Sequence, residues 1–159
     1  MSYQCELREQ PAQPTLTIRT RTSAQNLPQL FGKSYGAIAQ HLAQLGQYPA
    51  GAPFAAYYNM DMQSLDVELG FPVPKELPGK DDIKPGRISG GKFAVVLHTG
   101  PYSEVALAYD ALTKWVAEKR YEVTGVAYEV YLNDPSQTKP QDLKTQVMFP
   151  LKQRRVDSS

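Results

Sequence analysis

The sequence predicts an α+β fold: duplicated β-α-β-β units forming a curved, eight-stranded, mostly antiparallel sheet, with two long helices on one face and a ligand cleft between them. Three observations predict it. Residues about 15–73 and about 92–151 run through the same order of elements. Local words recur between them: Tyr57-Tyr58-Asn59 against Tyr131-Leu132-Asn133, and Phe71-Pro72-Val73 against Phe149-Pro150-Leu151, the latter at an offset of 149 − 71 = 78. Each repeat also has few strands and one helical stripe, too little to bury alone, so the halves are expected to share one sheet.

In order, Thr15–Thr22 (TLTIRTRT) alternates strictly and is rich in β-branched residues, which makes it a strand with Leu16 and Ile18 on its buried face. Leu27–Gln47 carries Phe31, Tyr35, Ile38, Leu42 and Leu45 at helical spacing, and Gly46 suits its C-terminal end. Pro53–Met60 and Leu65–Val73 are the next strands, with turn chemistry from Asn59 and Asp61 between them. Pro74–Gly91, dense in proline and glycine, reads as a linker or long loop. The second half then gives a strand at Lys92–Thr99 and a break at Gly100-Pro101. A helix follows at Tyr102–Lys119, striped by Val105, Tyr109, Leu112 and Val116. Strands at Val126–Asn133 and Leu143–Leu151 close the plan. The segments before Pro14 and after Leu151 are polar and read as fraying ends.

Composition narrows the function. The chain of 159 residues is one domain's worth and is read as a single domain, 1–159. A net charge of +1 lacks the basic excess of a nucleic-acid binder. The one basic cluster, Lys152, Arg154 and Arg155, is read as a solvated terminus. One cysteine, Cys5, and two histidines, His41 and His98, exclude an intrachain disulfide and weaken any metal site or catalytic triad, so no metal or cofactor is expected. No apolar run reaches membrane-spanning length and no signal pattern opens the chain; no membrane contact is expected, and the cytoplasm is the default compartment.

Glu129 is the main candidate for chemistry. It stands mid-strand in an apolar segment, and alternation puts it on one face with Ala127, Tyr131 and Asn133. If that face lines the cleft, desolvation raises its pKa, and the site suits a cation or acid–base work. If the face of Tyr128, Val130 and Leu132 is the buried one instead, Glu129 is wet. Matching Tyr57 with Tyr131 makes Ala55 its counterpart, so the two halves differ in chemistry. Glu68 is expected to face solvent, and His98 to end a surface strand. The aromatics Tyr35, Tyr109 and Trp115 on the helices, and Phe54, Tyr57 and Tyr131 on the strands, are candidates to shape a cation pocket, with plain core packing as the alternative for each. Gly90-Gly91-Lys92 lacks phosphate-loop spacing, and Asp61, Asp66, Asp81 and Asp82 lack calcium-loop spacing.

An ordered set of words now carries a resemblance: Gly90-Gly91-Lys92-Phe93, His98-Thr99-Gly100-Pro101-Tyr102, Tyr109 and Trp115, Glu129-Val130-Tyr131-Leu132-Asn133-Asp134-Pro135, and Phe149-Pro150-Leu151. From about Thr15 to Leu151 the chain resembles the GyrI-like family, the bacterial transcription-activator effector-binding domain. The resemblance implies binding of amphipathic cationic or aromatic compounds, as in the drug-binding halves of AraC-type and MerR-type regulators, with a link to transcription regulation or toxin resistance. Free-standing members imply two alternatives, hydrolysis of cyclopropane-bearing toxic natural products and interaction with gyrase. The family's pocket glutamate falls on Glu129. The residues before Thr15 are too few and too polar for a helix-turn-helix. The domain is therefore expected to stand alone and to read no DNA directly, leaving gyrase or a separate regulator as protein partners.

Overall fold

The computed structural model describes residues 3–134 and 136–152; Arg154 and Arg155 of the basic cluster, and Pro135, lie outside them. The strands are β1 (Cys5–Gln10), β2 (Gln13–Thr22), β3 (Phe54–Tyr57), β4 (Leu65–Pro72), β5 (Lys84–Ile88), β6 (Gly91–Thr99), β7 (Ala127–Tyr131) and β8 (Lys144–Pro150). The helices are α1 (Leu27–Gln44) and α2 (Val105–Glu118). All strands join one antiparallel sheet in the order β1-β6-β8-β7-β3-β4-β2-β5.

Six of the eight strands are those the sequence places. The other two overturn readings of their segments. The N-terminal stretch forms β1 and the start of β2, and the proline-rich linker contains β5. Both are edge strands, and each pairs across the repeat: β1 with β6, β5 with β2. An edge strand is held on one side only, so its residues need no long apolar alternation, and Pro85 is tolerated there. The links β1–β2 and β5–β6 pass each other closely. A Cβ on Gly90 would stand 2.7 Å from the Ala12 backbone nitrogen, so only glycine fits this contact, and the sheet is curled into a half-barrel.

The repeat holds residue by residue. The pair Thr15↔Gly86 recurs 78 residues on as Phe93↔Arg8, with the edge strands exchanged. Phe31 of α1 corresponds in the same way to Tyr109 of α2. Helix α1 is one turn longer. It ends on Gly46 at φ 68, with Gly46 and Gln47 amides bonded to the Ala43 and Leu42 carbonyls. Helix α2 ends the same way on Arg120 at φ 60, so the offset falls from 78 to 74 over β3 and β7 and returns to 78 at β4 and β8.

Both helices pack on one face of the sheet, because their apolar stripes meet its inward row. Ala94, Val96, Val147 and Phe149 meet Ala108, Leu112 and Val116 of α2. Leu16 meets Ile38 and Leu42 of α1. Each such buried aliphatic side chain contributes about 1.5–3 kcal/mol. The other face is also apolar at its centre: Phe93, Val95 and Met148 are buried there beside Tyr128 and Val130. No helix among the described residues is long and apolar enough to cross a membrane.

Candidate functional site

One row of paired residues crosses the helix face: Cys5, Val96, Val147, Glu129, Ala55, Leu69 and Ile18. Glu129 is the only charged residue in it. It sits on β7 at the centre of the sheet, half-buried, between Ala127 and Tyr131 on the same face.

Its carboxylate is held by phenols. Tyr109 Oη donates to Oε2 at 2.5 Å, and Tyr131 Oη donates to Oε1 at 3.0 Å. Tyr57 Oη stands 3.5 Å from Tyr131 Oη and extends the chain of hydroxyls. Burial pushes the Glu129 carboxyl above its ordinary value, against the two phenol hydrogen bonds and nearby His98, which pull it down. The same enclosure raises the phenols of Tyr109, Tyr131 and Tyr57, first by desolvation and then by the Glu129 charge, and that of Tyr35 by desolvation, then Tyr57, then Glu129. All four therefore remain protonated donors around one carboxylate. Among the described residues the ion pairs are Arg8–Glu6 and Arg19–Asp66, and Glu129 takes part in neither.

Aromatic rings complete the enclosure. Phe31 lies 5.7 Å from both Tyr35 and Tyr131, and Tyr102 meets Tyr131 edge-on at 5.8 Å. Tyr102, from the turn before α2, is exposed and forms the rim. The structure thus brings together Glu129, Tyr57, Tyr109 and Tyr131, with Tyr35 behind them. Two candidates lie elsewhere. Phe54 alternates with Ala55, so its ring falls on the opposite face against Tyr128 at 6.1 Å; only its carbonyl meets the site, accepting from Tyr35 at 2.7 Å. Trp115 follows Tyr109 by six residues, which rotates it off that face, and it packs on Tyr121 at 5.8 Å.

Phe31, Tyr102 and Thr145 were not among the site residues read from the sequence. Phe31 was signalled by its place in the repeat opposite Tyr109. His98 is a correction: it is 1% exposed, not a surface strand end. Its Nε2 donates to the Pro101 carbonyl at 3.1 Å and its Nδ1 accepts from Tyr3 Oη at 3.0 Å. Thr145, paired with both His98 and Tyr131, is fully buried with its hydroxyl unpartnered. Glu68 also departs from expectation. It is half-buried on the open face and accepts hydrogen bonds from Thr17 Oγ1 at 2.6 Å and from Tyr58 Oη. Among the described residues no group of three or more His, Cys, Asp or Glu is placed to hold a metal.

The GyrI-like small molecule binding domain family matches residues 3–152. The chain belongs to this family. Solved structures agree on the fold. The EcmrR C-terminal domain superposes with a TM-score of 0.83 at 22% identity, over 97% of this chain and 100% of that one. In the cryo-EM structure of EcmrR with DNA, the chain spans 59% of the EcmrR polypeptide, with a TM-score of 0.84 at 22% identity over 97% of this chain. A hydrolase from Listeria innocua gives 0.71 at 17% identity, over 95% and 93% of the two chains. SAV2435 bound to tetraphenylphosphonium gives 0.67 at 13% identity, over 96% and 94%. No curated protein matches the chain. This GyrI-like domain shares its architecture with the EcmrR C-terminal domain, and small-molecule binding is the function of its family.

Proposed function

We propose that this GyrI-like domain binds a bulky amphipathic organic cation against Glu129. One observation carries the reading: a carboxylate without an ionic partner among the described residues is enclosed by aromatic rings and held by two phenols. An enclosed, unpaired charge is costly, and a cation of low hydration offsets that cost where water cannot. The rings add attraction of about 0.5–2 kcal/mol each through their quadrupoles. Tyr57, Tyr109 and Tyr131 shape the site, with Tyr35 behind and Tyr102 at its mouth. Binding of tetraphenylphosphonium by the fold neighbour SAV2435 supports the choice of ligand class. The test is calorimetry with tetraphenylphosphonium and its anionic isostere tetraphenylborate. The cation is expected to bind and the anion not. Glu129→Gln is expected to weaken cation binding at least tenfold, the loss of one charge-assisted contact of about 1.5–3 kcal/mol. Equal affinity in the variant refutes the reading.

A hydrolytic reading rests on the 2.5 Å contact of Tyr109 with Glu129, which sets a proton donor beside a base of raised pKa. Glu129 would activate water, and Tyr109 would protonate the leaving carbon of a strained ring. Turnover of a cyclopropane-bearing substrate that disappears in Glu129→Gln is the result this reading requires.

A further inference from the structure

We propose that Glu68, on the face of the sheet away from the helices, is a second binding site, taking the guanidinium group of a small molecule. The repeat itself shows the chemistry. Gln146 of β8 and Glu68 of β4 are equivalent, 78 residues apart, and so are Arg8 of β1 and Gly86 of β5. In one half the Arg8 guanidinium reaches across β6 to Gln146; with the Gln146 amide turned so that its oxygen faces the guanidinium, that oxygen accepts from Arg8 at 2.6 and 3.2 Å. In the other half a carboxylate replaces the amide and glycine replaces the arginine. A Cβ built on Gly86 would lie 3.0 Å from Thr15 Oγ1, 3.6 Å from Glu68 Oε2 and 3.7 Å from Thr17 Oγ1, so the place of the arginine side chain borders the carboxylate and two threonine hydroxyls.

The surroundings suit a planar cation. Glu68 is oriented by Thr17, which donates to Oε2, and by Tyr58, which donates to Oε1. Its paired residue Ala56 is small, and Tyr128, paired with Ala56, adds a ring beside it. A guanidinium already lies on Tyr58: Arg19 stacks 3.9 Å from the ring centroid while its two nitrogens bind Asp66 at 3.0 and 2.9 Å. Guanidinium is favoured over ammonium because its planar fork can stack and donate in pairs. Arg19, paired with Glu68 itself, and Lys84, paired with Thr17 at the edge, are the internal competitors.

The probe is benzylguanidinium, followed by amide chemical-shift mapping, with benzyl alcohol as the neutral control. Saturable shifts centred on Thr17, Glu68 and Gly86 are expected, absent with benzyl alcohol. Glu68→Gln is expected to weaken them at least fivefold and Lys84→Ala to strengthen them. Gly86→Arg sets a guanidinium of the chain itself beside the carboxylate and is expected to abolish binding. Glu129→Gln is expected to leave this affinity unchanged, which separates the site from the one across the sheet. Shifts confined to Tyr57, Tyr109 and Tyr131, or equal affinity in Glu68→Gln, overturn the proposal.

Discussion

Ala55 and Glu129 are directly paired at the centre of the sheet, and they are also the same position of the repeat. The internal twofold axis therefore passes between them. Two identical halves would place two carboxylates face to face across β3 and β7. The chain carries one carboxylate and one methyl group instead, so a single charge occupies the axis and the phenols of both halves, Tyr57 and Tyr131, converge on it.

Restoring the symmetry should be destabilising. Ala55→Glu sets two carboxylate side chains on Cβ atoms about 4.5–5.5 Å apart across the pair. The variant is expected to lose roughly 2 kcal/mol or more of unfolding free energy at neutral pH, from repulsion and from overpacking a fully buried position. Urea titrations at pH 7 and pH 4 test this; part of the loss should disappear at pH 4, where one carboxyl takes a proton. A loss equal at both pH values would assign it to packing alone.

The raised Glu129 carboxyl makes stability depend on pH with a defined sign. The folded state holds the proton more tightly than the unfolded chain, whose carboxyl titrates near 4.5. Above that value the native state binds more protons than the unfolded state, so this group lowers stability as pH rises through the folded pKa. Glu129→Gln removes the effect. The variant is expected to gain melting temperature relative to the parent between pH 4 and pH 8. A cation that binds the ionised form should likewise bind more tightly as pH rises and release a proton below the folded pKa. A constant difference between parent and variant would show that Glu129 is not shifted.

Tyr109 can be exchanged for the residue that its counterpart already is. Phe31 holds the equivalent place in α1, so Tyr109→Phe fits the fold. It removes the 2.5 Å donation to Glu129. The expected cost is about 1–2 kcal/mol, the loss of a hydrogen bond to a charged acceptor. Because that bond lowers the Glu129 pKa, the carboxyl should titrate still higher in the variant, read by carbon-13 shifts of its side chain. A downward movement would contradict the assigned contact.

Much of this arrangement was legible in the residues. Matching Tyr57 with Tyr131 already made Ala55 the partner of Glu129, and the register confirms the equivalence. Helix and strand periodicity located both helices and six strands, because each buries one face. β1 and β5 escaped for the opposite reason. They lie at the sheet edges, carry charged or proline residues, and gain their pairing from the distant half of the chain. Phe54 was placed with Tyr57 although strand alternation sets residues three apart on opposite faces. His98 was read as a surface residue because nothing local reveals that Tyr3, 95 residues away, caps its Nδ1. Long-range pairing, not propensity, decides these cases.

Thr145 offers a test of the site's polar accounting. Its hydroxyl is buried between His98 and Tyr131 with no partner, a state that costs about 1–3 kcal/mol relative to hydration. Valine has nearly the same shape and no hydroxyl. In the unliganded protein Thr145→Val is therefore expected to be neutral or to stabilise by about 1 kcal/mol, against the usual direction of core substitutions. If the hydroxyl serves a ligand at the neighbouring carboxylate, the same variant should weaken binding while the fold gains. Thermal melts and calorimetry on one preparation separate the two effects. A stability loss of 1 kcal/mol or more would mean that Thr145 Oγ1 has a partner in solution, and its place beside the phenol chain would then be structural.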